Sequence, residues 1–197
     1  MNNNEVKNIL LCGVGGQGAI LTSKILTEGL MRAGYDVKMS EVHGMAQRGG
    51  SVSTQVRYGE KVASPLFGSG QADICVAFER MEAVRYAGFL RPGGLCIVND
   101  YRLTPMSVAV GSADYPENAI KAISDAYETI TIHAADIAIG LGNAKAMNVV
   151  LLGALVKALG LEELPGSDWE GIMRELIPEK LLDVDLAAFR AGINALI

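Results

Sequence analysis

The sequence is poor in the residues that carry redox, metal and nucleic-acid chemistry. Three cysteines, Cys12, Cys75 and Cys96, are spread over 197 residues with no Cys-x-x-Cys pair. They cannot supply the four ligands of an iron–sulfur cluster or a structural zinc, and each sits in an apolar run where a thiol acts as a small hydrophobe. The two histidines, His43 and His133, form no His-x-x-x-His pair, and there is no Walker lysine or Ser-His-Asp order. No complete catalytic set is visible. Aromatic residues are only 6% of the chain, so the core must rest on Ala, Val, Ile and Leu. No basic run occurs and the net charge is -5, which argues against nucleic acid as the main partner. The longest apolar run, Met147 to Val156, falls far short of the ~20 residues needed to cross a bilayer. The amino terminus, Met1-Asn2-Asn3-Asn4-Glu5, lacks the basic and apolar regions of a signal peptide, so a cytoplasmic protein without a membrane span is expected.

What is present is a globular composition, 50% hydrophobic and 20% charged, in a length that suits one domain over residues 1–197. Asn8 to Cys12 is a continuous apolar run, the mark of a strand buried on both faces. A helix follows from Ala19 to Met31 with apolar and polar residues mixed on both faces, ended by Gly34. Asp36 to Met39 reads as the next strand. Val52 to Tyr58 alternates apolar with polar, and Gly59-Glu60-Lys61 then predicts a hairpin returning through Val62 to Ser64, with Pro65 as its stop. This interrupts the βαβ rhythm, so the sheet should be mixed. Ala72 to Phe78 and Leu95 to Asp100 are further strands, separated by a helix from Met81 to Leu90 and a turn at Arg91-Pro92-Gly93-Gly94. After a helix from Glu117 to Tyr127 and a last strand from Thr129 to His133, the remainder reads helical. The helix from Asn143 to Gly160 carries two apolar stripes, which predicts burial or an interface, including a homodimer of the isolated chain. The sum is a three-layer α/β/α fold with a Rossmann-like mixed sheet and a helical carboxyl-terminal region.

Two stretches stand apart. Gly13-Val14-Gly15-Gly16-Gln17-Gly18 joins a buried strand to a helix, the context in which glycines admit a phosphate to free N–H groups at a helix start. Glu41, near the end of the second strand, stands where a ribose-binding acid belongs. Gln17 departs from the dinucleotide pattern. Dinucleotide binding, a phosphate or CoA-like contact and a purely structural tight turn all stay open. The second stretch, Ser40 to Ser53, holds His43, Gln47, Arg48, Gly49, Gly50 and Ser51. Arg48 offers a planar fork of donors suited to a phosphate or carboxylate, beside glycines that let the backbone approach the same anion. Asp100 and Asp136 follow strand ends, where α/β sheets keep ligand groups. His133 ends a strand and reads as a satisfied core imidazole.

Together, Gly-Val-Gly-Gly-Gln-Gly after a strand and His-Gly-Met-Ala-Gln-Arg-Gly-Gly-Ser-Val some thirty residues later resemble the gamma domain of 2-oxoacid:ferredoxin oxidoreductases. The run Val42 to Gly50 is most similar to the beta subunits of the indolepyruvate type. The resemblance covers nearly the whole chain. It implies oxidative decarboxylation of a 2-oxoacid, here an arylpyruvate, to acyl-CoA, with two electrons passed to ferredoxin. It also implies that thiamine diphosphate, magnesium and [4Fe–4S] clusters belong to a large alpha subunit, with CoA as co-substrate of the complex. This chain would be its non-catalytic subunit, binding no cofactor alone. Gly13, Gly15, Gly16, Gln17 and Gly18, with His43, Gln47, Arg48, Gly49, Gly50 and Ser51, would face ligand and partner. A pyruvate- or 2-oxoglutarate-type gamma subunit and a stand-alone dinucleotide-binding protein are the alternatives.

Overall fold

The computed structural model describes residues 5–43 and 49–196; the His43 side chain, Gln47 and Arg48 lie outside the described residues. Strand β1 (Lys7–Val14) is the centre of the design. Its side chains alternate between two cores: Ile9 and Leu11 point into one, Leu10 and Cys12 into the other. Strands β4 (Ala72–Ala77) and β5 (Leu90–Asn99) repeat the pattern, with Ile74, Val76 and Ile97 on the first face and Cys75, Ala77, Cys96 and Val98 on the second. Such unbroken apolar runs are what a sheet covered on both sides requires.

With β2 (Asp36–His43), β3 (Ser51–Gly59) and β6 (Glu128–Ile132), the sheet runs β2-β3-β1-β4-β5-β6. β1, β4, β5 and β6 are parallel, whereas β3 is antiparallel to both β1 and β2. The first face is covered by α1 (Ala19–Arg32), α5 (Ala134–Gly140), α6 (Met147–Ala158), α7 (Trp169–Leu176) and α8 (Glu179–Asn194). The second carries α2 (Arg80–Tyr86), followed by one 3-10 turn, and α4 (Ala119–Ala126); α3 (Met106–Ala109) is a short exposed turn. This is the three-layer α/β/α arrangement with a mixed sheet that the pattern of elements implied.

Four local expectations are corrected. The hairpin from Val52 does not return through Val62 to Ser64. Both edges of β3 are taken by β1 and β2, so the 60–71 segment is tied down by side chains instead. The Arg57 guanidinium donates to the Ser64 and Leu66 carbonyls at 3.0 Å each, and Gln55 Oε1 accepts from Phe67 N–H at 2.8 Å. Arg91-Pro92-Gly93-Gly94 is an irregularity inside β5 rather than a turn before it: Ala72 faces Leu90 but Ile74 faces Leu95. Helix α1 has a clean buried stripe, Ala19, Thr22, Ser23, Leu26 and Leu30, because small polar side chains there bond the helix's own carbonyls and pack as if apolar. The two stripes of α6 are both consumed within the chain. Every residue from Asn148 to Val156 is buried, so they leave no apolar face for the homodimer contact expected of this helix.

The α6–α8 contact is close because each helix presents a glycine to the other's backbone. A Cβ on Gly153 would lie 2.1 Å from the Phe189 carbonyl oxygen, and one on Gly192 would lie 1.9 Å from that of Val150. Among the described residues no helix is long and apolar enough to cross a membrane.

Candidate functional site

The carboxyl ends of the parallel strands meet where the helix layers change sides, since α1 after β1 and α2 after β4 cover opposite faces. Open α/β sheets bind ligands at such a switch point. Gly13 to Gly18 form its floor. Gly18 sits at φ +86° as the residue before α1, and a Cβ there would also lie 2.4 Å from the Asn148 amide nitrogen. No side chain caps this helix start and no acidic residue stands in its first turn, so its leading N–H groups face outward. Gln17 does not. Its Oε1 accepts from Val14 N–H at 2.7 Å and its Nε2 donates to the Phe78 carbonyl at 3.1 Å, which spends the amide on bracing the loop. Asn99, wholly buried, donates to the same Phe78 carbonyl at 3.2 Å and accepts from Ala134 N–H at 3.0 Å, tying β4 to β5 and α5.

The structure brings the second stretch onto the first. The β1–β3 ladder ends at Val14 opposite Ser51, and the chains stay together one step further. Gly15 N–H donates to the Gly50 carbonyl at 2.8 Å, and Gly49 N–H donates to the Gly15 carbonyl at 3.3 Å. Gly15, Gly49, Gly50 and Ser51 therefore form one surface. A cleft of about 400 Å³ opens beside it, lined by Gly15, Gly16, Gly18, Ile20, Glu41 and Val42. Glu41 thus shares a cleft with the glycine loop although β3 separates its strand from β1. A second cleft, about 620 Å³, lies on the other side of Gly16, with Lys145, Lys180, Asn148 and Asp185 in its walls.

Outside this centre, Asp100 accepts from the Arg80 guanidinium and stands 3.5 Å from His133 Nδ1, with Asp136 at 3.9 Å from the same nitrogen. His133 is exposed rather than a core imidazole, because it is the last residue before α5 and its ring faces solvent. The three cysteines are buried free thiols, with the sulfurs of Cys12 and Cys75 at 3.7 Å. Burial pushes the Cys12 thiol up, and the bond from Cys12 does the same to Cys75. Set on three neighbouring strands inside the sheet, they do not fit an iron–sulfur cluster. Among the described residues no three His, Cys, Asp or Glu converge as metal ligands. The donors that the arrangement offers are backbone N–H groups at the start of α1 and the lysines of the second cleft.

Asn148, Asp185, Lys145 and Lys180 were not among the residues the motifs singled out. A signal for the first existed, since Asn148 is the one amide in the apolar run Met147 to Val156. Asp185 is 4% exposed, and no donor among the described residues pairs with it; burial alone raises its carboxyl pKa. Lys145 and Lys180 share its cleft without forming an ion pair to it. A folded-state pKa above the ordinary ~3.9 means that stability falls as pH rises through that window. Asp185→Asn is therefore expected to stabilise the chain by about 1 kcal/mol at pH 7, with the gain fading near pH 4. Melting curves at both pH values check this, and an equal increment at each would refute it.

The family model described as pyruvate ferredoxin/flavodoxin oxidoreductase matches residues 8–195. The chain belongs to that family. An indolepyruvate oxidoreductase subunit IorB from Archaeoglobus fulgidus is 40% identical to this oxidoreductase-family chain over 196 residues, covering 95% of it and 94% of the relative. The protein of the same name from Thermococcus kodakarensis is 38% identical over 192 residues, 95% of each chain. Among solved structures, the gamma subunit of a keto/oxoacid ferredoxin oxidoreductase from Geobacter sulfurreducens superposes with a TM-score of 0.70 at 25% identity. That match covers 96% of this chain and 97% of the other. The two glycine-bearing stretches singled out in the sequence lie within the matched residues and are the ones that the fold hydrogen-bonds together.

Proposed function

We propose that this chain is the non-catalytic subunit of a 2-oxoacid:ferredoxin oxidoreductase acting on indolepyruvate or another arylpyruvate, which it helps convert to acyl-CoA while ferredoxin is reduced. The observation that carries the reading is the joining of Gly15 to Gly49 and Gly50, which sets the second motif beside the uncapped start of α1; the joining bonds use the Gly15 and Gly49 N–H groups, so the donors left for a ligand are those of the helix start. Those donors suit an anion such as a CoA phosphate, and the flanking Gly13, Gly16, Gly18, His43, Gln47, Arg48 and Ser51 complete the proposed ligand- and partner-facing region. Thiamine diphosphate, magnesium and the [4Fe–4S] clusters belong to a larger alpha subunit, whose oxidation chemistry this chain completes rather than performs. Gln17 contributes by bracing the loop. The whole of residues 1–197 acts as one domain in the cytoplasm.

The test is co-expression with a large thiamine- and cluster-bearing subunit, followed by an arylpyruvate- and CoA-dependent assay of ferredoxin reduction. The isolated chain is expected to be colourless and inactive, and the pair active. Turnover by the chain alone, or stoichiometric iron in it, would overturn the assignment. Comparing pyruvate and 2-oxoglutarate with indolepyruvate in the same assay separates the substrate types.

A further inference from the structure

Helix α2 carries two buried carboxylates, and they do different work. Glu79 is the helix cap: its side chain accepts from Met81 N–H at 2.6 Å and Glu82 N–H at 3.1 Å, and it also takes Leu103 N–H and the Tyr115 hydroxyl. Glu82 caps nothing, yet it is only 1% exposed. One of its oxygens accepts from Arg85 Nε at 3.0 Å, a pairing with a half-exposed side chain one turn away that contributes little. The other accepts the Ser51 hydroxyl. With the only Ser51 proton so engaged, the Tyr86 hydroxyl at 3.2 Å must donate to Ser51 Oγ. A leucine at position 82 would fill this layer without the desolvation cost of a carboxylate.

We propose that Glu82 is a positioning residue: through the Ser51 hydroxyl it fixes where the Gly49–Gly50 backbone meets the glycine loop. Ser51 is the first residue of β3 and follows the two glycines directly, so a shift of its Cα moves both contacts to Gly15. The segment is held along the ladder by Gly15 and from the α2 layer by Glu82 and Tyr86. The inference rests on the reading that this surface meets CoA.

The test uses the assembled complex. Ser51→Ala and Glu82→Leu are expected to raise KM for CoA roughly tenfold, with kcat within about twofold of wild type, the scale of one charge-assisted bond. Glu82→Gln keeps a carbonyl to accept the Ser51 proton and should restore most of the affinity. An unchanged KM in both damaging variants while Arg48→Ala raises it, or a Gln variant as impaired as Leu, overturns the proposal. Amide hydrogen exchange from Gly49 to Val52 in the isolated chain supplies a readout that needs no activity. It should quicken in Ser51→Ala and Glu82→Leu, and unchanged protection counts against the proposal. Arg48→Ala separates the two readings. If it raises KM for CoA while Ser51→Ala does not, only the positioning role fails. If Arg48→Ala is also silent, the CoA reading fails and exchange alone decides the role of Glu82.

Discussion

Gly192→Val is expected to destabilise the chain by about 3 kcal/mol or more, a large part of the ~5–15 kcal/mol that holds a domain together. The new side chain would meet main chain, not a movable side chain. Its Cβ falls 1.9 Å from the Val150 carbonyl oxygen and 3.0 Å from Ala154 N, and the reciprocal Gly153 meets Phe189 and Ile193 in the same way. Nothing there yields by changing rotamer, so α8 must move off α6. Since α6 is buried over Asn148 to Val156, that movement strips the first core of its cover. Gly192→Ala should lie between valine and wild type. Gly140→Ala, at the end of α5 with nothing within 4 Å of its Cβ, should be neutral or stabilising by less than about 1 kcal/mol. Urea midpoints rank the series, and a Gly192→Val chain with a wild-type midpoint would show that the helices are not locked.

Arg48→Ala is expected to leave the melting temperature of the isolated chain almost unchanged. In the complex it should lower activity by roughly ten- to a hundredfold, the loss of about 1.5–3 kcal/mol for a charge-assisted bond. The motive is its place beside Gly49 and Gly50, whose backbone joins the glycine loop. If Arg48 instead ties its loop to its own domain, the pattern reverses, with a lowered melting temperature and normal turnover by the folded fraction. Both quantities measured on one variant separate the cases.

The layers of the fold were legible because they rest on local pattern. Asn8 to Cys12 and Ala72 to Phe78 announce buried strands by apolar continuity, and Gly34 announces the end of α1 by the left-handed turn it adopts at φ +90°. Strand pairing was less legible. Whether β3 pairs with the segment after it or with β1 and β2 depends on contacts across tens of residues, and alternation in Val52 to Tyr58 says only that it pairs. The glycine stretches were visible as motifs, but not the hydrogen bonds between Gly15 and Gly49–Gly50, which only the β1–β3 register creates. Glu82 and Asp185 were hidden for another reason. Each occupies an ordinary charged position on a helix, and nothing in one dimension tells a solvated carboxylate from one buried against Ser51 or left without a partner.

The line of thiols across β1, β4 and β5 makes the protein its own stopwatch. Cys12, Cys75 and Cys96 have no accessible surface, and their raised pKa values leave little thiolate to react. They belong to three adjacent strands in the middle of the sheet, so an alkylating reagent can reach them only when that sheet comes apart. The rate at which all three become modified in native buffer then tracks global opening, as the population of the open state where reclosing outruns alkylation and as the opening rate where it does not. Mass spectrometry of timed samples would grade helix-lock, carboxylate and loop variants on one kinetic scale, without substrate, partner or cofactor.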